Sequence, residues 1–512
     1  MDQIADYVIV GTGSAGAVLA HRLSADPAVS VVALEAGPAD ADRFVRIPAA
    51  FAKLFRSPLD WDYLTEAQPQ VGDRRFYWPR GKMLGGSSSM NAMMWVRGFA
   101  ADYDEWAAHA GDAWSFAAVA KLFDRIEGGA LHIEAQRSPR RSTTQWLTAV
   151  QQAGYPVELP NRDTPGGFAQ TAVCQRRGAR WSSADGYLRP ALQRDNLTVL
   201  TGAAATRVLV DDGRAVGVEI DQRGRRRVVR ARREVILSAG AVNTPKLLLL
   251  SGIGDRDHLD DHGVPVVRHT PEVGRNLQDH LVVPLGFEVA GDSLFDAERP
   301  RQLAAYLLRR RGMLTSNIGE AYGFIRSRPD LELPDLELIF APAPFFDEGL
   351  GTPTAHAVVF GPILVKPHSR GRVGLRSADP LAKPVIDPRY LSDPEGRDRA
   401  AMMAGLQACA RIAETAAMKR LITGIARPRD TDTLDDAALQ RALQECSHTL
   451  YHPVGTCRMG TDEHSVVDPE LRVRGIEGLR VADASVMPTI IRGHTHAPSV
   501  VIGERAAELI RS

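Results

Sequence analysis

Two groups of residues in this chain have types and spacings that can do chemistry, one near each end of the sequence. Gly11-Thr12-Gly13-Ser14-Ala15-Gly16 has the spacing G-x-G-x-x-G. In such a turn the first glycine permits the tight bend, the second lets backbone approach a pyrophosphate, and the third lets helix pack closely on strand. The helix that follows offers unpaired amides and a positive dipole end to the phosphates. Glu35 stands about 20 residues further on, where an acidic side chain accepts the ribose hydroxyls of an ADP moiety and argues against a 2′-phosphate. FAD or NAD is expected rather than NADP. At the other end, His452 lies in Tyr451-His452-Pro453-Val454-Gly455-Thr456, and His494 and His496 lie in Gly493-His494-Thr495-His496-Ala497-Pro498. An imidazole, with an ordinary pKa of about 6.5, can hold or release a proton near neutral pH.

The elements that must position these groups follow from hydrophobic pattern. Tyr7 to Val10 is a continuous apolar run, as in a strand buried on both faces of a parallel sheet. The glycine turn follows, then a helix with Ala17, Leu19, Ala20 and Leu23 on its apolar face, then a second buried strand, Val31 to Leu34, ending at Glu35. From about Gly37 to Met94 no period is sustained, and long ordered loops are usually functional. Within it, Gly81 to Asn91 pairs glycines and serines into a backbone-rich surface suited to a diphosphate and a flat ring edge. Arg207 to Val210, Val216 to Ile220 and Val228 to Arg230 read as an antiparallel meander with an Asp-Asp-Gly turn at 211 to 213, and Glu234 to Leu237 as a return to the parallel sheet.

From roughly Leu281 the strands become Pro-punctuated, at Leu336 to Phe340, Ala357 to Val365 and Arg372 to Arg376, followed by a helix around Asp398 to Thr415. The expected fold class is α/β, α+β overall: a Rossmann-like dinucleotide domain with a second, substrate domain built on an antiparallel sheet. The expected division is 1–280 for the nucleotide domain, 281–450 for the substrate domain, and 451–512 for a return to the first, with a strand at Leu479 to Ala482 and a final helix at Val500 to Ile510.

Bulk properties agree. A length of 512 residues suggests two or three units, and 62 basic against 62 acidic residues gives no sign of a nucleic-acid or acidic-membrane partner. The chain enters its first strand too soon for a signal h-region, and its apolar runs are too short and interrupted for a membrane span, so a cytoplasmic protein is expected. Cys174, Cys409, Cys446 and Cys457 have neither zinc-site pairing nor scaffold density, and no metal site is expected.

Three further segments carry a resemblance: Gly81 to Asp104, Gly240 to Gly254, and the C-terminal set Tyr451 to Gly460, Val481 to Ser485 and Gly493 to Pro498. On these the chain resembles the glucose-methanol-choline (GMC) family of FAD-dependent oxidoreductases, along essentially its whole length. The resemblance implies FAD held by Gly11, Gly13, Ser14, Gly16, Glu35, Ala36, Gly86, Ser87, Asn91, Val208, Ala239, Asp483 and Ala484. Where relatives attach the flavin covalently, a histidine commonly precedes the asparagine of the first signature. Met90 stands there in this chain, so non-covalent FAD is expected.

The resemblance also implies oxidation of a small-molecule alcohol, with O2, a quinone or another carrier as electron acceptor. The hydroxyl proton must leave as the carbon–hydrogen bond breaks, and a histidine close to the alcohol oxygen meets that need. His452 and His496 fall on the family's two flavin-facing positions, with His452 the favoured base. His494 is expected to be mainly structural, sharing one face with His496 on an extended segment. His262, His280 and His448 are expected on the surface or in the core. Substrate residues are expected from the second domain, around Glu320 to Phe324 and Pro342 to Phe346, where Glu320 is either part of a family-like segment or a hydrogen-bonded structural carboxylate. A cationic substrate would want a carboxylate or an aromatic cage, and the sequence places neither. The alternatives are a lyase like the flavin-containing hydroxynitrile lyases and a degenerate FAD-binding protein.

Overall fold

The computed structural model describes residues 3–511. Its first sheet is built on the apolar runs seen in the sequence. Strand β1 (Gln3–Val10) leads through the glycine turn into helix α1 (Gly16–Leu23), which returns to β2 (Val31–Glu35), and all five residues of β2 are buried. β2 pairs in parallel with β1 on one side and with β3 (Leu197–Thr201) on the other. β4 (Ala203–Asp211), β5 (Arg214–Gln222) and β6 (Arg225–Leu237) form the meander, in spatial order β4-β5-β6-β1-β2-β3. Its tight turn comes at Asp212 and Gly213, whose φ angles of 44° and 74° suit the twist of a two-residue hairpin.

β6 joins the antiparallel and parallel parts of this one sheet. Residues 225–230 run antiparallel to β5, residues 229–237 run parallel to β1, and the last three pair in parallel with the short strand Leu479–Val481. The chain thus returns from its C-terminal region to the centre of the first sheet. Helix α2 (Gly240–Leu250) follows β6, and helix α3 (His496–Arg511) packs against α1. α3 starts four residues earlier than the apolar pattern predicts, so His496 is its first residue.

The second sheet is antiparallel. β7 (Leu285–Val289), β8 (Ala321–Ile325), β9 (Leu336–Ala341), β10 (Ala357–Leu364) and β11 (Ile422–Arg427) lie in the order β11-β7-β10-β9-β8, and the short strand Phe168–Gln170, from before the expected domain boundary, adds to β8. Leu281–Val282 bridges β10 to His448–Thr449, and that small pairing sets Asp279 and His280 beside the segment carrying His452. Among the described residues no helix is long and apolar enough to cross a membrane.

Candidate active site

One continuous cavity of about 680 Å³ runs between the two sheets, and both ends of the sequence contribute to its wall. The glycine turn lines it through Gly11, Gly13 and Ser14, beside Glu35 and Ala36 from the end of β2. Gly11 has a φ of 97°, and a Cβ there would fall 2.4 Å from the Ser238 carbonyl oxygen. A Cβ on Gly16 would fall 2.0 Å from the Gly11 carbonyl oxygen, so this glycine serves helix-on-strand packing and lies outside the lining. Gly86, at a φ of 51°, brings a second backbone against the first: its Cβ would come within 2.8 Å of Gly13 Cα. Two bare backbones meeting beside the first turn of α1, where the amides are unpaired, make the cradle a dinucleotide diphosphate needs.

The polar groups around this cradle are braced by the protein. Glu35 accepts from Thr12 Oγ1 at 2.8 Å and from the Gly37 amide at 3.0 Å, while burial raises its carboxyl pKa. Asp483 accepts from the Gly240 amide at 2.9 Å and Thr244 Oγ1 at 2.6 Å. Arg180, which the sequence reading missed, is buried and donates to the Ser88 carbonyl and, at 2.7 Å, to Asn91 Oδ1, holding the 86–91 loop. Ser87, Asn91, Ala239 and Ala484 line the cavity. Val208 does not. It is buried in the first core, its amide donating to Ser251 Oγ, and Ala203 to Ala205 of the same strand form the wall instead. The donors and the backbone cradle fit FAD.

The histidines meet differently from the sequence expectation. His452 packs its ring edge-on against His494, with centroids 4.8 Å apart. His496 turns away and bonds Ser14 Oγ through Nδ1 at 3.0 Å. The shared face expected of an extended segment is absent because α3 begins at His496, so the chain has already started to coil. All three histidines line the cavity.

Each member of the close pair has a buried partner on its far side. His494 Nε2 lies 3.0 Å from Glu337 Oε1, on β9, and Glu337 is wholly buried. His452 Nδ1 lies 2.9 Å from His280 Nδ1, and His280 is wholly buried too. His280 is thus placed in the site by its neighbour's pairing, a signal absent from its local sequence. Burial drives the His452 pKa well below its ordinary value, with the nearby His494, His280 and Arg80 adding to the effect. Burial and His494 push His280 down to about 3.

The turn carrying His452 is pinned from below. Asp279 Oδ1 accepts the His452 amide at 2.7 Å, and Asp279 Oδ2 accepts from Thr449 Oγ1 at 2.6 Å and from the Tyr390 hydroxyl. Arg80 donates to the Tyr451 carbonyl, and Tyr451 itself holds a φ of 67°. A non-glycine residue persists there only when its surroundings over-determine it.

Comparison with known proteins agrees with this architecture. Family models described as GMC oxidoreductase match residues 5–282 and 367–503. An uncharacterized GMC-type oxidoreductase of Mycobacterium tuberculosis is 66% identical, with 100% of each chain covered. An alcohol dehydrogenase (acceptor) of Pseudomonas putida is 41% identical over 99% of this chain and 95% of the relative. Among solved structures, pyridoxine 4-oxidase from Mesorbium loti superposes with a TM-score of 0.88 at 31% identity, over 98% of each chain.

Proposed function

Because this chain belongs to the GMC oxidoreductase family, we propose that it oxidises a small-molecule alcohol to the carbonyl compound, with His452 as the base and His494 as its partner at the substrate oxygen. The observation that carries this is the His452–His494 contact in the wall of the same cavity that holds the glycine cradle. FAD is the family's cofactor, and when bound it supplies the two-electron acceptor of the reaction. Gly13, Ser14, Gly86, Asn91, Asp483 and His496 would hold it. Met90, which stands where relatives with a covalent flavin commonly have histidine, lines the cavity, and a thioether is not expected to make that bond, so the cofactor would be held non-covalently. Acid precipitation that left flavin on the polypeptide would overturn that point.

The chemistry of the chain's own groups follows from proton placement. Taking hydride from an alcohol carbon leaves a protonated carbonyl unless the hydroxyl proton departs with it. His452 Nε2 is the group that takes that proton. The Nδ1–Nδ1 bond between His452 and His280 holds one proton, and with that proton on His452 its Nε2 keeps a lone pair for the cavity. His280, accepting through Nδ1, then carries its own proton on Nε2. Glu337 fixes the other imidazole by accepting from His494 Nε2, leaving His494 Nδ1 to meet the alcohol oxygen. A carboxylate that orients a histidine in this way also stabilises positive charge on it.

Mixing the holoenzyme anaerobically with a panel of alcohols tests the reading. Bleaching of the flavin bands by an alcohol supports oxidation. If no alcohol bleaches them, the redox reading fails and lyase chemistry on the same fold takes its place.

A further inference from the structure

We propose that the substrate is an uncharged alcohol with an apolar body, and that Ile318 is the residue that sets how that body fits. This rests on the alcohol-oxidation reading and adds the substrate class to it.

Beyond the histidines, the cavity wall passes to the second sheet and its loops. Its apolar lining includes Ile318, Ile339, Val359 and Phe345 from that sheet and its loops, Met94 and Phe55 from the long loop of the first half, and Leu450 beside His452. The carboxylates that line the cavity, among the described residues, are Glu35, Asp221 and Asp483. All three belong to the first sheet or its edges, at the nucleotide end. A quaternary ammonium group in the apolar part would meet the Phe55 and Phe345 rings but no carboxylate, and a sugar would leave hydroxyls unpaired against the aliphatic wall, so an uncharged apolar alcohol fits that part better.

Glu320, the acid on the expected substrate-side loops, is used up elsewhere. It is wholly buried, and its carboxylate accepts from Ser316 Oγ and Thr143 Oγ1, both at 2.6 Å, and from the Arg140 amide at 2.7 Å. These bonds brace the loop before β8 rather than the cavity. Ser316 Oγ in turn accepts the Ile318 amide at 3.1 Å, and Asn317 Nδ2 donates to the Gly319 carbonyl at 2.8 Å. The result of this bracing is Ile318 at a φ of 71°. A β-branched residue is a genuine outlier in that region, and strain of this kind gathers at ligand-contacting positions. A glycine would adopt the backbone freely and an asparagine more readily, so what the isoleucine adds is its half-buried side chain, which lines the cavity and packs against the cluster around Met313 and Leu314.

The test uses the wild-type holoenzyme with Ile318→Gly and Ile318→Asn, and four probes: 1-hexanol, cinnamyl alcohol, choline and glucose. Anaerobic flavin reduction gives kcat/KM, and calorimetry gives binding independently of turnover. Reduction by 1-hexanol or cinnamyl alcohol at least about a hundredfold more efficient than by choline or glucose is expected. Both variants should stay folded while KM for the apolar alcohols rises about tenfold, the loss expected when one aliphatic contact goes. Choline or glucose as the better reductant would overturn the substrate class yet leave alcohol oxidation standing. If no probe reduces the flavin, alcohol oxidation fails, and calorimetry decides the class alone: heat from the apolar alcohols only upholds it, and heat from choline or glucose, or from none, overturns it. Unchanged KM and binding in both folded variants would remove Ile318 from specificity.

Discussion

Ser14 Oγ and His496 Nδ1 lie 3.0 Å apart, joining the glycine turn to the first residue of the last helix across 482 positions of sequence. The contact commits His496 to the nucleotide end of the cavity. Burial, with Arg180 nearby, pulls its pKa down to about 4, so it stays neutral at pH 7 and hydrogen-bonds rather than attracts. His496→Ala should therefore weaken FAD retention by up to about tenfold, the usual worth of one hydrogen bond, with the rate of flavin reduction by substrate in the reloaded enzyme nearly unchanged. A loss of reduction rate as large as that of a base variant would return His496 to the proton chemistry.

His452→Ala should keep its flavin and lose substrate-driven reduction by at least about a hundredfold, the lower range for a general base. His494→Ala should lose reduction as well, while His494→Asn, which keeps a hydrogen-bonding group near the alcohol oxygen, should recover part of it. Stopped-flow reduction of the three variants distinguishes these roles; wild-type rates in His452→Ala would sink the base assignment.

The pair His280–His452 predicts a pH response. Both imidazoles have pKa values held below 6.5 by burial, so both are neutral in the native protein at pH 7 and take up protons more readily when it unfolds. Their contribution to stability is therefore fully present above pH 6.5 and is lost as pH falls toward the native values. His280 alone contributes a slope approaching about 1.4 kcal/mol per pH unit between 6.5 and its native value. Urea unfolding at pH 7.0 and 5.0 should show a smaller pH dependence in His280→Asn than in the wild type. For the same reason the acid limb of the reduction rate should lie below pH 6.5, and an inflection at the ordinary histidine value would contradict the depressed His452.

Gly86→Ala probes the cradle without touching the histidines. The added Cβ would meet Gly13 Cα at 2.8 Å, backbone against backbone, at a φ where alanine is already strained. The expected product is a folded protein with little bound flavin, judged by the ratio of absorbance at the flavin band to that at 280 nm. Stoichiometric flavin in this variant would show that the two loops do not meet as described.

Much of the nucleotide half was legible because its determinants are local. Gly11, Gly13, Gly16 and Glu35 have fixed offsets within one strand–turn–helix–strand unit, and Asp212-Gly213 marks its own hairpin. Backbone demands of this kind are written in consecutive residues. By contrast, the division of labour among the histidines depends on contacts between elements far apart in the chain. His494 is oriented by Glu337 from the second sheet, His280 reaches His452 through the pairing of Leu281–Val282 with His448–Thr449, and His496 is redirected by the start of α3. Val208 and Ala205 are neighbours on one strand, and the face each presents is set by the sheet's register and by α2 packed upon it. The sequence by itself determined which chemical groups are present and the cradle that local spacing builds. Only the tertiary structure decided which of those groups touch, because hydrogen-bond partners of buried side chains are chosen by packing, and packing joins residues that no local pattern relates.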